Sequence, residues 1–221
     1  VWALAIETTA ESSDLFTKAE NAFAAGLALD SSRTDVRDGL SDTLYEMALL
    51  LEATFQKHKL TEVINRLQLY DERSERISRL TAQATLDLLV EPAGTEIEIA
   101  RYLLDKNQKY QLTERKKIGI TPLQSVKLQP ASYLLVFRTR GHEEVRYPIL
   151  VKHGEHLNIQ FGLPKTGSIP PGYVYIPPGR FMFGSGSDEM VRAGLLTTVP
   201  MHEVHTDGYL ISRTEVTFGA I

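Results

Sequence analysis

Hydrophobic positions in the first third of the chain recur at three- and four-residue steps. Leu15, Ala19, Ala22, Phe23 and Leu27 form one such series, the apolar face of an amphipathic helix. Leu29-Asp30-Ser31-Ser32 stops it, and Thr34 or Asp35 is placed to cap a longer helix through Leu40, Leu44, Met47, Ala48 and Leu51. A third run carries Leu60, Val63, Ile64, Leu67 and Leu69. No proline and only Gly26 and Gly39 interrupt residues 1–86. Two antiparallel helices leave a face uncovered, so a third helix, a partner chain or the next domain must meet them. Leu44, Met47 and Leu51 are therefore expected to be partly buried, as interhelical or partner-facing positions.

From about Asp87 the period drops to two. Leu86, Leu88 and Val90 alternate with Asp87, Leu89 and Glu91, Pro92-Ala93-Gly94 makes a turn, and Glu96-Ile97-Glu98-Ile99 alternates again. Tyr133–Phe137 and Val145–Val151 are strand-like runs joined by a hairpin turn at Thr139–His142. All ten prolines lie from Pro92 onward. This pattern predicts a small antiparallel β module over residues 87–162. Within it, Arg115-Lys116-Lys117 beside Gly119 reads as a solvated loop in preference to an anion or lipid-headgroup patch. Residues 163–171 (LPKTGSIPP) have linker composition, and Tyr173–Ile176 and Phe181–Gly184 follow as further short strands. Residues 172–221 are too few to bury a core of their own, so more chain is expected beyond Ile221, and the start at Val1-Trp2 reads as a fragment edge.

Composition narrows the function classes. Hydrophobic residues are 43% and charged residues 24% of 221, values of a folded chain. The longest apolar run, Val1–Ile6, is far below the roughly 18–20 residues of a membrane helix. A net charge of -4 argues against nucleic-acid binding by phosphate neutralisation, although residues 87–170 by themselves carry +3. The absence of cysteine excludes disulfides, thiolate metal sites and cysteine nucleophiles.

Four clusters invite a chemical reading. His202 and His205 lie three apart, but their surroundings read as strand, which turns them to opposite faces and leaves His202 a structural hydrogen bond. His153-Gly154-Glu155-His156 reads as a surface turn. Ser185-Gly186-Ser187-Asp188-Glu189 lacks both a phosphate-loop lysine and a calcium-loop pattern, and reads as a flexible loop. Neither Ser125 nor Ser132 sits in a nucleophile elbow, and the aromatic set Tyr133, Phe137, Tyr147, Phe161, Tyr173 and Tyr175 fits core packing. No catalytic residue, cofactor or metal site is therefore expected. No kinase G-x-G-x-x-G, H-R-D or D-F-G motif occurs.

Three stretches resemble known modules. Gly172–Ser185 (GYVYIPPGRFMFGS), Pro200–Val204 (PMHEV), Tyr209–Ile211 and Thr214–Thr217 (TEVT) are similar to the opening lines of formylglycine-generating-enzyme, or sulfatase-modifying-factor, domains. That family's catalytic and metal-binding residues lie downstream of these lines, so none is carried over. Val90–Ile97 (VEPAGTEI), Gly119–Leu123 (GITPL) and Leu128–Leu135 (LQPASYLL) resemble the PEGA-type surface-layer β module, with Ala131 where glycine is usual and an insertion from Arg101 to Lys117. Asp30–Asp38 (DSSRTDVRD) resembles the joint between tetratricopeptide repeats, with Ser31 in place of proline.

The order of the three is similar to the region after the catalytic domain of some myxobacterial-type serine/threonine protein kinases. The resemblance implies an α+β multi-domain chain. A helical, repeat-like segment (1–86) precedes a small antiparallel β-sandwich-like module (87–162), a linker (163–171) and the opening strands of a C-type-lectin-like domain (172–221). It implies a non-catalytic interaction or sensory region whose partner is another protein or another domain of the same polypeptide. The kinase domain would lie upstream, and the side of the membrane would follow from any helix there. Two rival readings remain open: delivery modules of a formylglycine-generating-type oxidoreductase, and a C-type-lectin-like ligand binder.

Overall fold

The computed structural model describes residues 2–54, 56–107, 109–185, 194 and 198–215. It is an α+β chain in which a helical segment precedes antiparallel-rich sheets. Two compact units are distinguished, Val1–Leu80 with Met182–Glu203, and Thr81–Phe181 with Val204–Ile221. Among the described residues no helix is long and apolar enough to cross a membrane.

Four helices open the first unit: α1 (Trp2–Leu29), α2 (Thr34–Ala53), α3 (Lys57–Tyr70) and α4 (Glu75–Leu80). After α1, Asp30 Oδ1 accepts hydrogen bonds from the Ser32 N–H (3.0 Å) and hydroxyl (2.6 Å), a local turn that competes with helix. Thr34 is already helical; Arg33 occupies the N-cap position without a side-chain cap, and Asp35 contributes its charge to the first turn. The α1–α2 approach is close at Gly39, where a Cβ would lie 2.6 Å from the Phe23 ring.

Leu40, Leu44, Ala48 and Leu51 of α2 pack with Val63 and Leu67 of α3 and Leu80 of α4. Four residues of the apolar pattern, Leu15, Ala19, Ala22 and Leu69, fall outside this core. Leu15 is 64% exposed, because the buried side of α1 runs through Glu20, Phe23 and Leu27. Leu69 is 76% exposed, because two residues beyond Leu67 is about 200° around the helix. The short α4 was not legible as a period. It is held by the buried Asp71, whose Oδ2 accepts the Ile77 N–H at 2.9 Å and whose Oδ1 faces Arg76 at 3.3 Å. Arg76 also donates to Asp42 of α2 at 2.7 Å.

The second unit begins at Thr81, earlier than the change of period suggested, and two of its sheets form a sandwich. In one, β1 (Ala84–Glu91) is flanked by β4 (Leu123–Leu128) and β7 (His156–Gly162). In the other the order is β3 (Tyr110–Ile120), β2 (Glu96–Leu104), β5 (Ala131–Arg138), β6 (Val145–Val151), antiparallel throughout. Alternate residues of both sheets interlock: Leu86, Leu88 and Val90 share a core with Ile97, Ile99, Leu135, Phe137 and Phe161. Phe137 meets Phe161 edge to face at 5.2 Å. The sandwich is not purely antiparallel, since β1 and β7 run parallel with Leu86 opposite Leu157. The entire module forms the crossover between those two strands, which no short-range signal announces.

Arg115-Lys116-Lys117 lies within strand β3 and not in a loop. Its outward members are paired, Arg115 with Glu98 at 3.1 Å and Lys117 with Glu96 at 2.5 Å. Residues 101–117 form the outer part of the β2–β3 hairpin, whose turn is closed by Asp105 Oδ1 accepting the N–H groups of Asn107 and Lys109. Central strand β5 is buried on both faces at Leu134 and Val136. The cross-strand neighbours of Val136 are Glu98 and Arg146, members of an ion network that continues through Arg138 and Glu144.

The last described strands are short. β8 (Tyr173–Ile176) pairs antiparallel with β11 (Tyr209–Ser212), and β9 (Gly179–Phe183) is the hydrogen-bonded neighbour of β10 (His202–Thr206). Residues 186–190 and 216–221 lie outside the described residues.

Candidate functional site

The side chains that converge most fully within the second unit hold the segment after β7 against the sandwich. The stretch read as a linker is tied to the β5–β6 turn. Leu163 is buried in the core, Glu143 N–H donates to Pro164 O (2.9 Å), Thr166 N–H to Gly141 O (3.0 Å), and Gly167 N–H to the Glu143 carboxylate (2.8 Å). Ten residues on, the β8–β9 corner is fixed in turn. Tyr147 of β6 is only 7% exposed and donates its hydroxyl to Pro178 O at 2.9 Å. Tyr175 packs on the sandwich core.

Arg180 completes this docking face. Its guanidinium donates to Leu150 O at 2.8 Å and to Glu155 Oε1 at 2.5 Å, while Glu155 Oε2 accepts the Lys152 N–H at 3.0 Å. Gly154, at φ 61, makes the left-handed turn that presents Glu155, and its N–H donates to Ala82 O at 3.0 Å. Burial alone would raise the Glu155 carboxyl, but the Arg180 and Lys152 bonds outweigh it and hold the group below its ordinary range. Burial pushes the Tyr147 phenol up, against the opposing charge of Arg180. The hydroxyl therefore stays a donor at neutral pH. Hydroxyl, guanidinium and carboxylate are all engaged in clamping one segment on another.

Among the residues singled out from sequence, Leu44 (0% exposed) and Leu51 lie inside the helical core against α3, and Met47 packs at its edge. The buried Glu20 of α1 is met by Arg66 of α3. His202 is half-buried with Nδ1 2.9 Å from Pro200 O, and its ring meets Phe183 edge-on. His205 is exposed in the alternation of β10. His156 reaches Thr85 Oγ1 at 2.8 Å and Asp87 at 3.3 Å. Among the described residues no three His, Asp or Glu side chains are grouped to hold a metal ion. Of Ser185–Glu189 only Ser185 is described; its N–H donates to Val199 O.

The sequence places Tyr147 in the core, which it joins, and carries no sign of its second role as a donor. Glu155 and Arg180 were not singled out as partners. The signals available were an acid directly after a glycine turn and an arginine after Pro-Pro-Gly, and neither names its partner across 25 residues. No protein-family model matches the chain, and no curated protein is found similar to it.

Proposed function

We propose that this chain is a non-catalytic interaction region of a multi-domain bacterial signalling protein, a serine/threonine protein kinase whose catalytic domain lies outside it. The observation that carries the reading is the clamp of Tyr147, Glu155 and Arg180, by which the β module receives the first residues of the segment that follows it. A module whose own face is given over to seating its neighbour acts as spacer and docking platform. The helical segment adds a tightly packed α2–α3 layer for association with a further domain or protein. The PEGA-like and formylglycine-generating-like identities belong to the same proposal and rest on the motif resemblance.

Reading the coding sequence on both sides of the segment tests this. A kinase catalytic domain before Val1 and a continuing formylglycine-generating-like domain after Ile221 are expected. Flanks without kinase motifs, with active-site cysteines downstream, would replace it by the oxidoreductase reading. A downstream domain with neither would leave the lectin-like ligand binder.

A further inference from the structure

A second feature of the sandwich lies between two of its edge strands, β3 and β4. At the end of the module where β3 and β4 close the sheets, a cavity of about 250 Å³ opens between them. Its inner wall continues the core rows. Ile97 and Ile99 of β2 are followed on the same face by Arg101, and Phe137 and Leu135 of β5 by Tyr133, which is the Cα partner of Arg101. The apolar core thus ends in a guanidinium and a phenol, with Leu128 closing the floor.

Three cations line this cavity, Arg101, Lys116 and Lys127, against one acid, Glu114. Their placement has a backbone cause. Pairing of β2 with β3 slips from Ile99 opposite Lys116 to Arg101 opposite Thr113, so Glu114 and Arg115 share one position opposite Ala100. Glu114 takes φ 53, and this bulge re-aims the strand. Arg115 and Lys117 project to the outer face and meet Glu98 and Glu96. Lys116 projects to the cavity, where no ion pair is made by Lys116, Lys127 or Arg101 among the described residues. Arg101 Nε is buried without a hydrogen-bond partner. A buried, unpartnered guanidinium nitrogen is costly to keep, and the outer face of the same strand shows that carboxylates are supplied where pairing is the purpose.

We propose that this cavity is a binding site for a small organic anion, its carboxylate or phosphate on Arg101 between Lys116 and Lys127 and its apolar part on Tyr133 and Leu128. The planar guanidinium fork matches either head group. The volume is below the roughly 300–1,000 Å³ of pockets that enclose drug-sized ligands, which limits the occupant to about the size of a single ring with its charged group. Glu114 at the rim disfavours a bulky polyanion.

Titration calorimetry of the full 221-residue chain with phenyl phosphate, benzoate and inorganic phosphate tests the proposal. Saturable binding of at least one of the two ring-bearing probes, tighter than inorganic phosphate, is expected, and the tighter of the two identifies the head group. Arg101→Gln should weaken it at least about tenfold, the loss of a charge-assisted bond. Lys117→Gln, on the paired outer face, should leave it unchanged. The exposed pair Lys116→Gln/Lys127→Gln tests the same site should Arg101→Gln perturb folding. No saturable binding up to about 10 mM of either ring-bearing probe, a range far weaker than usual ligand affinities, overturns the proposal. So does an equal loss in Lys117→Gln, which would mean a diffuse charge effect.

Discussion

Gly179 sits where the β9 backbone passes under Tyr147, and replacing it by alanine should undock the segment from the sandwich. A Cβ at this position would fall on the Tyr147 hydroxyl and 2.9 Å from Cζ. The phenol has little room to retreat: it is almost fully buried, bonded to Pro178 O and packed beside Phe161 at 5.6 Å. Forcing a methyl group into a filled site costs about 1–3 kcal/mol. Loss of the Tyr147–Pro178 hydrogen bond adds about 0.5–1.5 kcal/mol. Against these, alanine narrows the unfolded ensemble by about 0.4–1 kcal/mol, since the backbone here is not left-handed. The net is a destabilisation of about 0.5–4 kcal/mol, felt first by the docked segment.

A double-mutant cycle isolates the cause. Tyr147→Phe alone removes the hydrogen bond and costs about 1 kcal/mol. It also removes the atom that the new methyl group strikes. Gly179→Ala in the Tyr147→Phe background should therefore cost less than in the wild type, by a coupling of about 0.5–1 kcal/mol or more. Hydrogen exchange of Tyr173–Ile176 reports undocking, and urea unfolding reports global stability. Unchanged protection in Gly179→Ala, or the same cost in both backgrounds, would refute the clamp.

Three further outcomes follow from the same contacts. Leu44→Ala should destabilise the helical unit by about 2–5 kcal/mol, whereas Leu69→Ala, on the exposed side of α3, should stay within about 0.5 kcal/mol; thermal unfolding followed by helical circular dichroism separates them. Ser41 is fully buried and its Oγ has no hydrogen-bond partner among the described residues, so Ser41→Ala should be neutral or stabilising by up to about 1 kcal/mol, and a clear loss of stability would show an unrecognised partner. The Glu155 carboxyl is held below its ordinary value of 4.5, so the stability it contributes is fully present above that value and is lost as pH falls through the lower folded value. Protection of Tyr173–Ile176 should fall over that acidic window in the wild type and show no such slope in Glu155→Gln.

Much of this architecture is written in local periods. The α2 face through Leu40, Leu44, Ala48 and Leu51 is legible because a 3.6-residue repeat needs nothing beyond its own sequence to define a side. Alternation likewise marks β1 and β6, where every second residue enters the core. The limits of the same logic are visible at Leu15 and Leu69, apolar residues whose neighbours carry the packing. Of the docking face, Tyr147 was legible as a buried aromatic; its acceptor on Pro178 and the Glu155–Arg180 pair were not, since a hydrogen-bond partner has no sequence period.

What the sequence alone determined is which residues seek burial and in what kind of element: helices without proline first, strands and turns after it. The tertiary structure decided everything that joins distant positions. It paired β1 with β7 in parallel, and it fastened a proline- and glycine-rich stretch to the β5–β6 turn. It also gathered Arg101, Lys116 and Lys127 around one cavity while sending Arg115 and Lys117 to carboxylates on the opposite face. In sequence these five are simply basic residues. A one-residue bulge at Glu114 and the meeting of two sheet edges separate them, and both are properties of strand register, which is fixed only when the core closes.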